Sequence, residues 1–458
     1  MAEIFPFRGL RFNPARVEVA LAVTQPYDKI TPAMQARYYD ASPYNLVRII
    51  LGRSEAEDSE GSNVYTRAAE YFRDWREQEI LRAEDEPAIY AYSQRFAVPG
   101  GTRELERRGF IALGRVVPYR EGVVYRHEQT LAKPRADRLN LLRATRAHFG
   151  QIFMVYSDPE KKVEAALQVE REPDICVTDE YGVRHSVWRV VERERIQAVV
   201  AAMSDKKLII ADGHHRYETA LAYAEETRAA GGAPAAAEIR ETQATAPARA
   251  PGPTQYENVS RSGKYPAHEL VMMTLVNMDA EGLVILPTHR VVFGLPGFDA
   301  DLLLRSLWGY FQIEQLPASL DAAQLTAKLA EAGREGSAFV AVTRNDRYLL
   351  RAKDDGGLLD AVSPRQRQLD LVRLHKVVLE HVLGLSEDDI RQQRHVSYYR
   401  DAGEAIARVR QDANVAFLVN PVTIEQVREV ALAGEVLPQK STDFYPKMLS
   451  GLTIYALD

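Results

Sequence analysis

Cysteine is almost absent from this chain: Cys176 is the single one in 458 residues. One thiol excludes an intrachain disulfide and a zinc site built from cysteines. Its expected place is a small buried or half-buried side chain. No stretch approaches the roughly 18 apolar residues of a membrane-spanning helix. The start, Met1 to Phe12, lacks an apolar core of signal-peptide length. These absences lead to the expectation of a soluble, cytoplasmic protein with no membrane partner. Several motifs are also missing. There is no GxxxxGKS/T phosphate loop, no GxSxG elbow, no HExxH and no GxGxxG. The familiar kinase, α/β-hydrolase, zincin and Rossmann classes are therefore disfavoured.

What is present is ordinary for a globular protein. Hydrophobic residues make up 46% and charged residues 27%, which excludes wholesale disorder, a collagen-like fibre and a coiled-coil rod. Lys and Arg total 58 against 64 Asp and Glu, a net charge of −6. That acidic balance argues against a dedicated nucleic-acid binder. The length admits about two or three domains.

Apolar periodicity places the elements. Ala68, Tyr71, Phe72 and Trp75 form one face of a helix expected over Val64 to Arg82. Strands are expected at 88–92, 152–156, 186–190, 207–211, 269–273, 283–286, 338–342, 348–350 and 415–419. Helices are expected at 194–203, 216–228, 300–310, 322–332, 369–383 and 424–433. Ala229 to Lys264 is rich in Ala, Pro, Gly, Thr and Ser and poor in large apolar residues. It is expected to be a flexible insertion, because it buries too little to offset its ordering entropy. This gives an α+β protein: an N-terminal lobe over 1–228, the insertion over 229–264 and a second mixed lobe over 265–458.

The densest chemistry is Asp212-Gly213-His214-His215-Arg216-Tyr217-Glu218, between an apolar strand and a helix. The first N–H groups of such a helix lack intrahelical partners and favour anions. Gly213 would let the backbone approach a phosphate, and Arg216 adds a fork of donors. His214 and His215 can donate hydrogen bonds or shuttle protons. Asp212 could be a base, a magnesium ligand or the helix N-cap. Zinc is a rival reading, since His214 and Glu218 share a face, whereas adjacent histidines diverge by about 100°. A second polar constellation runs from His127-Glu128-Gln129-Thr130 to Arg138 and Arg143. A third is Leu437 to Lys447, where Lys440, Ser441 and Thr442 could hold an anion. Thr288-His289-Arg290 is a weaker cluster, of a kind that is usually structural.

These segments together resemble the family called domain of unknown function 1015. The stretches that carry the resemblance are Ala211 to Ala220, Phe7 to Leu10 with Pro26-Tyr27-Asp28 and Ser42 to Asn45, His127 to Leu139, Leu286 to Arg290, and Pro438 to Leu452. Leu437 stands where Met is expected, and the insertion is unusually long. Gly213-His214-His215-Arg216 is further similar to the nucleotide-phosphate motif of the ParB and sulfiredoxin superfamily, above all its free-serine kinase branch.

This second resemblance implies a ParB/sulfiredoxin-like nucleotide-binding core and a nucleotide phosphate at the start of the 216–228 helix. It also implies magnesium-assisted phosphoryl transfer from ADP or ATP to a small hydroxyl compound such as L-serine. Gly213 and Arg216 would then cradle the phosphate, and His214 or His215 would contact the transferring group. Asp212 would be the base or a ligand of metal-bound water, with Glu128 and His127 as the reserve acid/base pair. Arg138, Lys440 and Ser441 would add phosphate or substrate contacts. The alternatives are a nucleotide-binding or nucleotide-hydrolysing regulatory protein and a metal-dependent hydrolase. A homo-oligomer is left open.

Overall fold

The computed structural model describes residues 1–128, 132–231, 264–353 and 356–457. Most of the expected insertion, together with Gln129 and Thr130, lies outside the described residues. The chain divides into two compact units, both mixing helices and strands. The first unit comprises 1–125, 130–283 and 446–458; the second comprises 126–129 and 284–445.

The first unit is built on a nine-stranded mixed sheet. Its strands are β1 (Ile4–Phe5), β2 (Ile89–Ala97), β3 (Glu104–Arg115), β4 (Val124–Tyr125), β5 (Ile152–Tyr156), β6 (Ile175–Thr178), β7 (Arg184–Val190), β8 (Leu208–Asp212) and β9 (Leu270–Asn277). They lie in the order β4-β8-β5-β9-β3-β2-β7-β6, with β1 on β3. β9 runs parallel to β5 and antiparallel to β3, and β8 runs parallel to β4. Every residue of β5 and β9 is buried, as continuous apolar runs in a covered sheet should be. Burying each large apolar side chain here contributes about 1.5–3 kcal/mol.

β9 follows the Ala/Pro-rich segment yet completes a sheet begun before it. The compositional change at 229–264 therefore does not coincide with the passage between units, which falls at 283/284. Helix α1 spans Val64–Glu77 and starts with an Asn63–Thr66 capping box. Ala68, Phe72 and Trp75 are buried along it as the spacing predicts. It ends five residues before the expected Arg82, because Glu79 adopts φ +55° and Leu81–Ala83 pairs as a short strand with Leu10–Phe12. Cys176 differs from expectation. It sits on the outward side of the edge strand β6, exposed, between buried Ile175 and Val177.

The second unit holds a six-stranded antiparallel sheet. Its strands are β10 (His289–Phe293), β11 (Phe311–Leu316), β12 (Ala338–Val342), β13 (Arg347–Ala352), β14 (Val396–Tyr399) and β15 (Ala413–Val419), in the order β11-β13-β12-β15-β10-β14. The helix expected over 369–383 has two parts: α-helical Asp370–Arg373, then a π-helical stretch Leu374–Val382. His375 lies buried on this stretch. A ribbon of Val284–Leu286 with Asp443–Tyr445 completes this unit. Among the described residues, no helix is long and apolar enough to cross a membrane.

Candidate functional site

In the first unit the chemistry gathers where β8 ends. The register of β8 against β5 shifts between Ile210 and Asp212, a bulge of the kind that re-aims a side chain. Gly213 follows at φ +94°, and helix α2 begins at His214 and runs to Ala229. Asp212 is therefore not the helix cap. One turn on, Arg216 reaches back and donates from Nη2 to Asp212 Oδ2 at 2.7 Å. Lys447 donates from Nζ to the other oxygen, Oδ1, at 2.9 Å. The three side chains are 18%, 15% and 9% exposed. Burial alone would raise the Asp212 pKa, but the Lys447 ammonium and the Arg216 guanidinium outweigh it and hold the carboxyl far below its usual range.

Lys447 has its own support. The fully buried Arg107 guanidinium donates to Gln94 Oε1 and to the Pro446 carbonyl. Gln94 Nε2 donates to the Lys447 carbonyl at 2.9 Å. Arg107 also lies over the Phe153 ring, 4.8 Å from its centroid. Burial lowers the Arg107 pKa to about 10, while Tyr92 and Asp212 pull the other way. Neither Arg107 nor Lys447 stood among the expected site residues. Lys447 closes the 437–447 segment, so proximity to that motif was the available signal; Arg107 lies in an ordinary strand and offered none.

Arg216 also lines a pocket of about 560 Å³, part of it open to solvent, with Tyr27, Arg138, Phe149, Gly150 and Thr219. Its Nη1 donates to the Gln151 carbonyl at 2.8 Å, and its Nε is buried with no acceptor in the protein. Thr219 Oγ1 and Gln151 Nε2 are likewise buried and unpartnered. Arg138, on helix Ala132–Thr145, lies 4.1 Å from the Tyr27 ring centroid and donates to the Ile50 carbonyl at 2.6 Å. Two expected residues thus meet on one pocket. The guanidinium of Arg216 fills the space beside Gly213: a Cβ there would stand 2.9 Å from Nε. Gly213 is not among the residues that line this pocket.

His214 is buried and His215 half-buried. Glu218 is buried, 3.5 Å from the Tyr119 hydroxyl and 4.0 Å from Arg135. Among the described residues no three His, Cys, Asp or Glu side chains are grouped to hold a metal. Asp212, with both oxygens engaged by cations, does not suit Mg²⁺, which wants free carboxylate oxygens.

The remaining expected residues gather in the second unit. Glu128 Oε1 accepts the Lys440 N–H at 3.0 Å, and the His127 carbonyl accepts the Leu437 N–H at 2.8 Å. His127 Nε2 lies 2.8 Å from Thr442 Oγ1. Lys440 is exposed and held at φ +56°, and Ser441 is buried with its hydroxyl donating to the Pro438 carbonyl. Beneath the loop, buried Arg290 donates from Nη2 to the carbonyls of Gln439 and Lys440 at 3.3 and 3.1 Å. Its Nε lies 3.4 Å from His375 Nε2. Burial and the Arg290 charge push the His375 pKa well below its ordinary value, so the ring is neutral and can accept. The Thr288-His289-Arg290 cluster thus acts as scaffold for this loop. Within their separate units, Arg138 groups with Arg216, and His127 and Glu128 group with Lys440 and Ser441.

Comparison with known proteins adds the following. The family model described as Protein of unknown function (DUF1015) matches residues 4–372, stopping short of the 437–452 stretch. No curated protein matches the chain. Among solved structures, a free serine kinase in complex with AMP is 13% identical, covers 72% of this chain and 89% of its own, and has a TM-score of 0.33. A conserved hypothetical protein from Pyrococcus furiosus is 13% identical over 70% and 87%, with a TM-score of 0.32. A C-terminally truncated SbnI from Staphylococcus aureus is 10% identical over 74% and 85%, with a TM-score of 0.33.

Proposed function

Because this chain belongs to the family Protein of unknown function (DUF1015), whose name leaves activity open, we propose a function from the site itself: the first unit binds the phosphate end of a nucleotide. The fold reading that goes with it is a ParB/sulfiredoxin-like core. The carrying observation is the convergence of Arg138 and Arg216 on one pocket, with Arg216 Nε buried and unpartnered. A donor left so in a buried site costs about 1–3 kcal/mol, and a phosphate oxygen would remove that cost.

The reaction class is phosphoryl transfer from ADP or ATP to a small hydroxyl compound, with free L-serine as the first acceptor to test. It rests on the Gly213-His214-His215-Arg216 resemblance. In such transfer, charge stabilisation dominates, and a cluster of cations is what the site needs. Asp212 is a poor base, because a carboxylate held far below the working pH has little appetite for a proton. Its work is to fix Arg216 and Lys447. Removing the acceptor proton then falls to a group other than Asp212. Magnesium would enter bound to the nucleotide phosphates, and this reading assigns it no protein ligand.

The engagement of both Asp212 oxygens by Arg216 and Lys447 supports one second reading: a nucleotide-binding or nucleotide-hydrolysing regulatory protein, without an acceptor. One experiment separates the two. The protein is incubated with ADP or ATP, Mg²⁺ and L-serine, and phosphoserine is sought by mass spectrometry. Phosphoserine supports transfer. Nucleotide binding or hydrolysis with no phosphorylated acceptor supports the switch. Absence of any nucleotide binding by calorimetry rejects both.

A further inference from the structure

The first unit holds a second cleft, of about 760 Å³ and partly open to solvent, that shares no lining residue with the Arg138–Arg216 pocket. It lies over β2, β3 and β7, beside the helix Lys162–Ala166. Phe110 and Tyr156 form part of its apolar wall and meet edge to face, with ring centroids 6.3 Å apart. Leu167 and Trp188 add further apolar surface. The Trp188 indole is fixed, because its Nε1–H donates to the Arg171 carbonyl at 2.7 Å.

One polar group in this lining is incomplete. Glu164 Oε1 accepts from Asn277 Nδ2 at 2.9 Å, which sets the direction of the carboxylate. Glu164 Oε2 is buried with no partner. The other carboxylate of the cleft, Glu106, is satisfied. It accepts from Ser93 Oγ at 2.6 Å and from Arg108 at 3.0 Å, with Arg95 at 3.6 Å. A fixed carboxylate oxygen without a donor, beside aromatic faces, suits a cation. The apolar walls suit a flat hydrocarbon body.

We propose that this cleft recognises a small amine, its flat apolar body against Phe110, Tyr156 and Trp188 and its protonated nitrogen donating to Glu164 Oε2. Recognition involves no bond making, and it does not rest on the nucleotide reading.

The test is a ligand-observed NMR titration of the full chain at pH 7 with 2-phenylethylamine, 3-phenylpropionate and 2-phenylethanol. The amine binds saturably and about tenfold or more tighter than the other two, the factor expected of a charged hydrogen bond. Glu164→Gln retains an acceptor for Asn277 and removes the charge; it weakens amine binding by about tenfold. Leu167→Trp fills the cleft and abolishes binding. Melting curves check that each variant is folded, and Glu164→Gln decides if Leu167→Trp is not. Equal binding of the three probes, undiminished amine binding by Glu164→Gln, or no saturable binding of the amine overturns the proposal. AMP titrated in parallel tests the nucleotide reading separately.

Discussion

Lys447 and Asp212 stand 235 residues apart in sequence, and their charged atoms lie 2.9 Å apart. The contact ties the C-terminal segment to the bulged end of β8. Both side chains are largely buried, so neither charge is well served by water. Asp212→Asn removes the carboxylate charge that Lys447 and Arg216 share and is expected to cost about 3–5 kcal/mol of stability at pH 7. The pH dependence has a definite sign. The folded pKa of Asp212 lies below the unfolded value of about 3.9, so its contribution is complete above that value and fades as pH falls further. Denaturation of wild type and Asp212→Asn should differ by a constant amount from pH 6 to 8. The difference should shrink below about pH 4. A gap independent of pH down to 3 would contradict the ion-pair account.

Arg216 separates stability from binding. Its guanidinium serves Asp212, the Gln151 carbonyl and the pocket together. A lysine there can keep one charge near Asp212 but has no planar fork. Arg216→Lys should therefore melt close to wild type while binding ADP about 10- to 100-fold more weakly, the loss expected for a charged hydrogen bond. Arg216→Ala should lose both. Calorimetric titration with ADP and AMP reads the first quantity and thermal melting the second. Wild-type affinity in Arg216→Lys would remove Arg216 from the phosphate site.

Part of this site could be read from the sequence. The strand–helix junction at Asp212-Gly213 is local, so an apolar run, a glycine and a polar helix start disclose it. The resemblance assigns Arg138 and Arg216 to one phosphate site, while their meeting on one pocket depends on tertiary packing that periodicity does not encode. Arg107 shows the limit most clearly. Its place in β3 carries no motif, and its role comes from Pro446 and Gln94, contacts at separations of 339 and 13 residues. Cys176 shows the reverse error. A composition rule puts cysteine inside, but on an edge strand the alternation of faces decides, and that position faces out. The strands at 269–273 and 152–156 are legible in the sequence, while their pairing with each other, and that of the first with β3, is not.

His289 supplies a pH effect in the second unit. It is buried, its Nδ1 accepts the Val419 N–H at 3.2 Å, and burial together with the neighbouring Arg290 lowers its pKa to about 4. The neutral ring is the folded form. An unfolded histidine titrates near 6.5, so the unfolded chain takes up the proton first. The stability this group confers is complete above about pH 6.5 and declines until about pH 4, by an amount on the order of 3 kcal/mol. His289→Asn keeps an acceptor and cannot titrate. Its stability should decline less steeply than wild type across this window in a urea series at pH 7, 6, 5 and 4.5. Equal slopes would show that His289 does not titrate on unfolding.

Gly213 is required for two separate reasons, which two substitutions can distinguish. Its φ of +94° lies where L-residues are strained, at a cost on the order of 1–3 kcal/mol. A Cβ would also stand 2.9 Å from Arg216 Nε and 3.0 Å from Nη2. Both atoms belong to a flexible side chain, so the guanidinium can give way, but only by moving off Asp212 or out of the pocket. Gly213→Ala is therefore expected to lower stability by about 1–3 kcal/mol and to weaken ADP binding in the same variant. In Gly213→Ala/Arg216→Ala the steric part vanishes while the backbone strain stays. The double variant should then be more stable than the sum of the two single effects by a measurable coupling of about 0.5 kcal/mol or more. Strict additivity in urea denaturation would mean that Arg216 does not press on Gly213, and that the glycine is kept for its backbone alone.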